Sequence, residues 1–207
     1  MSVDLAPAAE RARDLIMHPH LLWPVIAGEA QSPDALYRNY IAVLAAIPPV
    51  ATFLKGSVLG YGVEFGLGLR VGIVPGLIAM IVSYILLLVV VFGYALIIEA
   101  LAPNFEGRRD RLMSLKLAGY SSTSAFIGGA AVLLPGIGGL VHLVAIIYGF
   151  YLAYLGAQVL LGMPKDKALP YTVICAAVGC VLNMAVASLS AKLTGTLVPL
   201  GAYGFLT

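Results

Sequence analysis

Glu99 and Lys116 are the ionisable side chains best placed to do chemistry in this chain, because each stands where a long apolar run meets charged sequence. The 22 residues from Leu77 to Ile98 carry no charge, and the run stops on the Glu99 carboxylate. Lys116 opens the next apolar stretch and is followed by the hydroxyl block Tyr120-Ser-Ser-Thr-Ser124. An acid and a base at one depth can pair, and a carboxylate near hydrocarbon is costly unless compensated, which makes it a functional candidate by default. The plainer reading is structural: Glu99 marks a helix end in the headgroup region, bonded to Lys116, Arg108 or Arg111. Upstream, Pro48-Pro49 strip the carbonyls of Leu44 and Ala45 of their amide partners. Broken helices occur at membrane depth where protein or a cavity covers them. Glu99, Lys116, the hydroxyls and the freed carbonyls are therefore expected to line a polar pocket open to one side of a bilayer.

Enzymatic chemistry has no support in the residues. There is no Walker lysine loop, no His-Glu-x-x-His, no Gly-x-Ser-x-Gly, and no pair of carboxylates inside an apolar run. Gly66-Leu-Gly68-Leu-Arg-Val-Gly72 has the wrong last interval for a dinucleotide loop. His18, His20 and His142 make no metal site, and Cys175 and Cys180 read as packing residues. No catalytic residue, metal or cofactor is expected. A net charge of +2 is too small to argue for nucleic acid.

The elements that position these residues are membrane helices. With 61% hydrophobic and 11% charged residues and a mean hydropathy of +0.99, the chain lies far from soluble composition. At about 1.5 Å per residue the Leu77–Ile98 run crosses a hydrocarbon core of about 30 Å. The reading is an all-α polytopic bundle of five transmembrane helices preceded by a short amphipathic helix. Residues 1–32 form the N-terminal interfacial segment, in which Leu5, Ala8, Ala12 and Leu15 share a face, Pro19 ends the helix, and Trp23-Pro24 anchors at the interface. Those residues mix charge with apolar positions, unlike a cleaved leader, so targeting falls to the first membrane helix.

Residues 33–207 form the membrane domain. Ser32-Pro33-Asp34 is a helix start by chemistry, and the first span runs from Tyr40 to Leu54 with Lys55 snorkelling beyond it. Glycines 68, 72 and 76 suit either a turn or close helix approach. The second span is Leu77–Ile98, the third Leu117–Leu134 and the fourth Gly139–Leu161. A loop holding Lys165, Asp166 and Lys167 precedes Pro170 and the fifth span, Tyr171–Ser190. Gly128-Gly129-Ala130-Ala131 permits close helix contact, Tyr148, Tyr151 and Tyr154 form an aromatic stripe leading to Gln158, and Asn183 is expected to bond another helix.

Basic residues give the orientation. With the N-terminus cytoplasmic, Arg11, Arg13, Arg38, Arg108, Arg109, Arg111, Lys116, Lys165 and Lys167 fall inside, against Lys55, Arg70 and Lys192 outside. Five spans then leave the C-terminus periplasmic.

The segments Tyr40-Ile-Ala-Val-Leu-Ala-Ala-Ile-Pro-Pro-Val-Ala, Tyr94-Ala-Leu-Ile-Ile-Glu-Ala-Leu-Ala-Pro-Asn-Phe105, Lys116-Leu-Ala-Gly-Tyr-Ser-Ser-Thr123 and Tyr148-Gly-Phe-Tyr-Leu-Ala-Tyr-Leu-Gly156 resemble a bacterial member of the Yip1 family. The resemblance begins near Trp23 and rests on the triplet Gly119-Tyr120-Ser121 and on the acid before Pro103. It implies five transmembrane helices with a cytoplasmic N-terminus, in a bacterial inner membrane. It places Pro103, Asn104, Phe105, Gly119, Tyr120, Ser121 and Thr123 beside Glu99, Arg108 and Lys116 as a polar or partner-binding region. Eukaryotic relatives are similar to secretory-pathway scaffolds that bind prenylated Rab GTPases and one another. Here the loop after Glu99 reads Ala-Leu-Ala-Pro-Asn-Phe in place of Asp-Leu-Tyr-Gly-Pro, and bacteria lack Rab proteins, so that partner is not carried over. The expectation is a membrane adaptor, self-associating or bound to another membrane protein. The alternative is a small-solute, ion or lipid transporter with Glu99, Lys116 and Tyr120 as its gate.

Overall fold

In a computed structural model that describes residues 6–60, 69–197 and 203–205, nearly every described residue is helical. Apolar runs of this length leave no water for backbone amides and carbonyls, and the helix satisfies them within one segment. In chain order the helices are α1 (Ala6–Met17), α2 (Pro19–Gly28), α3 (Pro33–Leu59), α4 (Ile73–Leu101), α5 (Arg111–Ser121), α6 (Thr123–Gly128), α7 (Gly138–Leu160) and α8 (Lys165–Leu197). A 3-10 turn carries α4 on to Phe105, and another, Gly129–Leu133, follows α6. Four of these stretches are long and apolar enough to cross a membrane: α3, α4 with its turn, α7, and α8 from Lys165 to Ala185. The expected third span instead folds as the α5–α6 rod, interrupted at Ser122 and tightened at its end.

Ser32 starts α3 as its chemistry requires, its hydroxyl accepting from the Ala35 amide at 3.1 Å, and Asp34 pairs with Arg38 on the next turn. The helix breaks at Ala46, just ahead of Pro48-Pro49, where the Ala46 amide reaches only the Val43 carbonyl at 3.4 Å. Two π-helical stretches, Tyr37–Ile41 and Leu54–Leu59, flank the break. Tyrosines hold this irregular rod in place: Tyr84 donates to the Ala42 carbonyl at 3.0 Å, Tyr37 to the Leu88 carbonyl, and Tyr40 shares a hydrogen bond with Thr123 at 2.8 Å. Lys55 does not snorkel outward; it is 8% exposed.

Lys165–Lys167 is not a loop. It is the first turn of α8, and Pro170 lies inside that helix, close enough to its start that few carbonyls lose a partner. Glycines set the closest approaches. A Cβ on Gly76 would collide with the Ser57 hydroxyl, one on Gly128 with the Ala145 methyl, and one on Gly129 would lie 2.7 Å from Pro48. Gly66 and Gly68 lie outside the described residues. A two-stranded antiparallel pairing joins β1 (Leu69–Val71), after α3, to β2 (Tyr203–Phe205), after α8.

The outer surface carries the large apolar side chains, Ile81, Ile85 and Val89 of α4 among them, while Lys116, Thr123 and Tyr120 are buried. That inversion is what a lipid-facing bundle needs. Gly128→Val should lower the unfolding midpoint in detergent, losing about 1–3 kcal/mol through overpacking against α7. Gly139 serves as the contrast, since a Cβ there would meet nothing within 4 Å, and Gly139→Ala should leave the midpoint unchanged or raise it.

Candidate functional site

Lys116 lies in the second turn of α5 with its side chain fully buried. Its Nζ donates to the Ile26 carbonyl at 2.7 Å and to the Glu29 carbonyl at 2.8 Å. Ile26 is in the last turn of α2 and Glu29 is its C-cap, where helix carbonyls run out of intrahelical partners and the dipole favours a cation. The buried ammonium therefore ties α2 to α5. On the same stretch, the Glu29 carboxylate accepts from Arg11 of α1 at 2.5 Å, so one residue links α1, α2 and α5.

One turn beyond Lys116, Tyr120 is buried between two aromatic rings. Trp23 meets it edge-on with centroids 6.3 Å apart, and Tyr40 lies at 4.5 Å. Its hydroxyl points to the Gln31 amide oxygen at 3.5 Å. Gly156 on α7 makes the slot for the indole, since a Cβ there would sit 2.8 Å from Trp23 and 2.6 Å from Leu117. Gly119 does the same for α3, where a Cβ would lie 2.7 Å from Ile41. Two further tyrosines hold the N-terminal segment from α7: Tyr148 donates to the Ile16 carbonyl at 2.7 Å, and the Tyr151 hydroxyl bonds His20 Nε2 at 3.0 Å.

Glu99 has other surroundings. Its Oε1 accepts from Arg109 Nε at 3.3 Å, not from Lys116, Arg108 or Arg111. The geometry forbids the expected pair, because Lys116 turns inward to α2 whereas Glu99 faces the 102–110 connection. Arg108 instead closes the end of α7, its amide donating to the Leu161 carbonyl at 2.8 Å and its Nη2 to the Leu160 carbonyl at 3.3 Å. Arg111 stands 5.7 Å from the Phe92 ring centroid. Phe105 packs edge-on against Tyr171 at 5.5 Å, and the Tyr171 hydroxyl donates to the Ile98 carbonyl at 2.8 Å. Pro103 and Asn104 are exposed on the intervening turn.

The predicted residues thus fall into two neighbouring groups. Lys116 and Tyr120 form a clamp on the N-terminal segment, with Gly119 and Thr123 seating α3 beside it, whereas Glu99, Pro103, Phe105 and Arg108 lie where the ends of α4, α7 and α8 meet. Ser121 bonds within α5, its hydroxyl reaching the Ala118 carbonyl at 3.4 Å. Several expectations need correction. Trp23 is no interfacial anchor but a core residue at 0% exposure, because Gly156 and Tyr120 receive it. Tyr148 and Tyr151 are docking points for the N-terminal segment, and exposed Asn183 bonds the Gly179 carbonyl of its own helix at 2.9 Å. Cys175 is buried as a packing residue, but Cys180 is exposed.

Trp23, Arg11, Glu29 and Gln31 are the clamp members that sequence reasoning missed. The signal available was Ala8, Ala12 and Leu15 on one face of α1, all buried here.

A bundle of apolar helices, greasy outside and with buried polar groups such as Lys116 and Thr123 bonded within, its N-terminal segment bolted to the core, defines an integral polytopic α-helical membrane protein. The chain belongs to the Yip1 domain family, whose model matches residues 5–186. It is 27% identical over 183 residues to inner membrane protein YohC of Escherichia coli (strain K12), an alignment covering 87% of this chain and 94% of that protein. The same figures hold for inner membrane protein YohC of Escherichia coli O6:H1. No solved structure matches the chain.

Lys116→Met should release α1–α2 from the bundle. Two carbonyls lose their donor at an expected cost of about 1–3 kcal/mol. Limited proteolysis between α2 and α3 and amide exchange in α2 should both speed up, while a Tyr120→Phe variant, which loses only a long bond, should stay close to the parent.

Proposed function

We propose that the chain is a non-enzymatic adaptor of the bacterial inner membrane, with five spans, that works by associating with another membrane protein or with a second copy of itself. The observation that carries this reading is the spent ammonium of Lys116. Groups that would gate a polar path are used to hold the bundle shut: Lys116 on α2 carbonyls, Tyr120 toward Gln31, and Ser122 on the Ala118 carbonyl at 2.8 Å. Charges left outside gather at one end. Arg109 keeps 70% of its side chain exposed, Glu106 65%, Asp166 74% and Lys167 43%, and the exposed Pro103 and Asn104 adjoin them. That end offers a partner a mixed polar surface next to lipid-facing helices.

Five spans are supported by parity. β1 follows α3 and β2 follows α8, and their pairing puts both on one side, which needs an even number of crossings between them. α4, α7 and α8 supply three, and the broken rod 111–133 supplies the fourth. Nine of the twelve basic residues then lie on the side of α1, which supports a cytoplasmic N-terminus and a periplasmic C-terminus. The inner membrane is the location named for the relative YohC.

Glu99→Gln should cost less than about 1 kcal/mol in stability, since its partner is largely solvated. Two differently tagged copies, or tagged protein and its neighbours, should be crosslinked in membranes by the parent and several-fold less by an Arg109→Glu variant. Vesicles reconstituted with either should show no flux of protons, potassium or a small anionic dye. Flux that disappears in Glu99→Gln while crosslinked species persist would establish transport instead.

A further inference from the structure

Away from the charged end, a partly open cleft of about 340 Å³ lies between α4, α6, α7 and α8, with Pro48 at one edge. Its longest wall is one stripe of α7 running from His142 through Ile146 and Phe150 to Ala153. Eleven residues of helix rise span about 16 Å, roughly half of a hydrocarbon core, so the cleft is about one leaflet deep. Small residues clear the space: Gly149 and Ala153 on α7, Ala125 on α6 and Gly179 on α8. No Asp, Glu, Lys or Arg lines it among the described residues, and Leu87, Val90 and Phe126 supply apolar surface. A charged or strongly hydrated ligand has nothing to bind there.

Two polar side chains of the wall bond carbonyls of their own helices. Ser122 bonds the Ala118 carbonyl and Asn183 the Gly179 carbonyl, whereas His142 Nδ1 is buried with no hydrogen-bond partner among the described residues. His142 lies one turn from the start of α7, the end of the cleft nearest the membrane surface opposite Glu99. Exposed Cys180 and Asn183 on α8 mark the rim, where it meets the hydrocarbon surrounding the spans. An apolar trench one leaflet deep with a histidine ring at its outer end matches an amphiphile.

We propose that this cleft holds one acyl chain of a phospholipid from the leaflet opposite Glu99, with the lipid's ester region at the His142 imidazole. The site goes beyond the adaptor reading, because it shares no residue with the clamp or with the charged end, and only Ser122 with the groups that hold the bundle shut.

The test uses the full chain in phosphatidylethanolamine–phosphatidylglycerol vesicles containing a phosphatidylcholine with a mid-chain diazirine. After irradiation, adducts should concentrate on Phe150, Ala153 and Cys180, about tenfold above the outward-facing Val144 and Ile147 of the same helix. Ala153→Phe should fill the trench and abolish that excess while Val144 and Ile147 are labelled as before. His142→Leu, which keeps the helix and removes the imidazole, should reduce it several-fold. Equal labelling of both faces of α7 in the parent would overturn the proposal, whatever the variants do. Labelling of the cleft by a diazirine palmitate but not by the phosphatidylcholine would overturn the assignment to a phospholipid.

Discussion

A buried ammonium needs acceptors, and Lys116 finds them at the end of a helix. Transfer of an isolated cation into a low-dielectric interior is prohibitive, so the Ile26 and Glu29 carbonyls are a condition for burying α5 in the bundle. The rest of the clamp follows from that demand. With the end of α2 held over α5, Trp23 lands between Tyr120 and α7, and Gly156 is the residue that lets it fit. Arg11 and Glu29 then extend the attachment to α1 through a partly buried pair that adds modestly to it.

Tyrosine performs the same service elsewhere. Tyr37, Tyr84, Tyr148 and Tyr171 each bury a ring against a neighbouring helix and deliver a hydroxyl proton to a backbone carbonyl. A helix carbonyl already bonded along its own axis has a second lone pair, so such bonds cross-link helices without opening either. This arrangement consumes polar groups in holding helices together. It leaves exposed charge gathered at one end of the bundle and an apolar trench away from it.

Much of the architecture is legible in the residues. The chargeless run Leu77–Ile98, the cap at Ser32 and the break before Pro48-Pro49 appear where composition and backbone chemistry put them. The bracketing of Glu99 and Lys116 is legible too, but not their partners. Spacing along a helix fixes depth, whereas pairing depends on rotation about the axis. Lys116 turns toward backbone carbonyls, acceptors that every residue carries and that no side-chain pattern announces. Trp23 misleads for a related reason: a tryptophan beside a proline looks interfacial until a distant glycine provides a slot. The Lys165–Lys167 stretch reads as a loop because charge and Pro170 interrupt it, yet a proline near the start of a helix removes little.

Trp23 is also the sole tryptophan of the chain. Its indole is enclosed by Tyr120, Leu117 and the backbone of Gly156, with its ring nitrogen unbonded among the described residues. Tryptophan fluorescence, excited at wavelengths that the tyrosines do not absorb, therefore has one emitter, and that emitter sits inside the joint between the N-terminal segment and the spans. The colour of its emission is a direct optical gauge of whether that joint is closed, in any lipid and without a label.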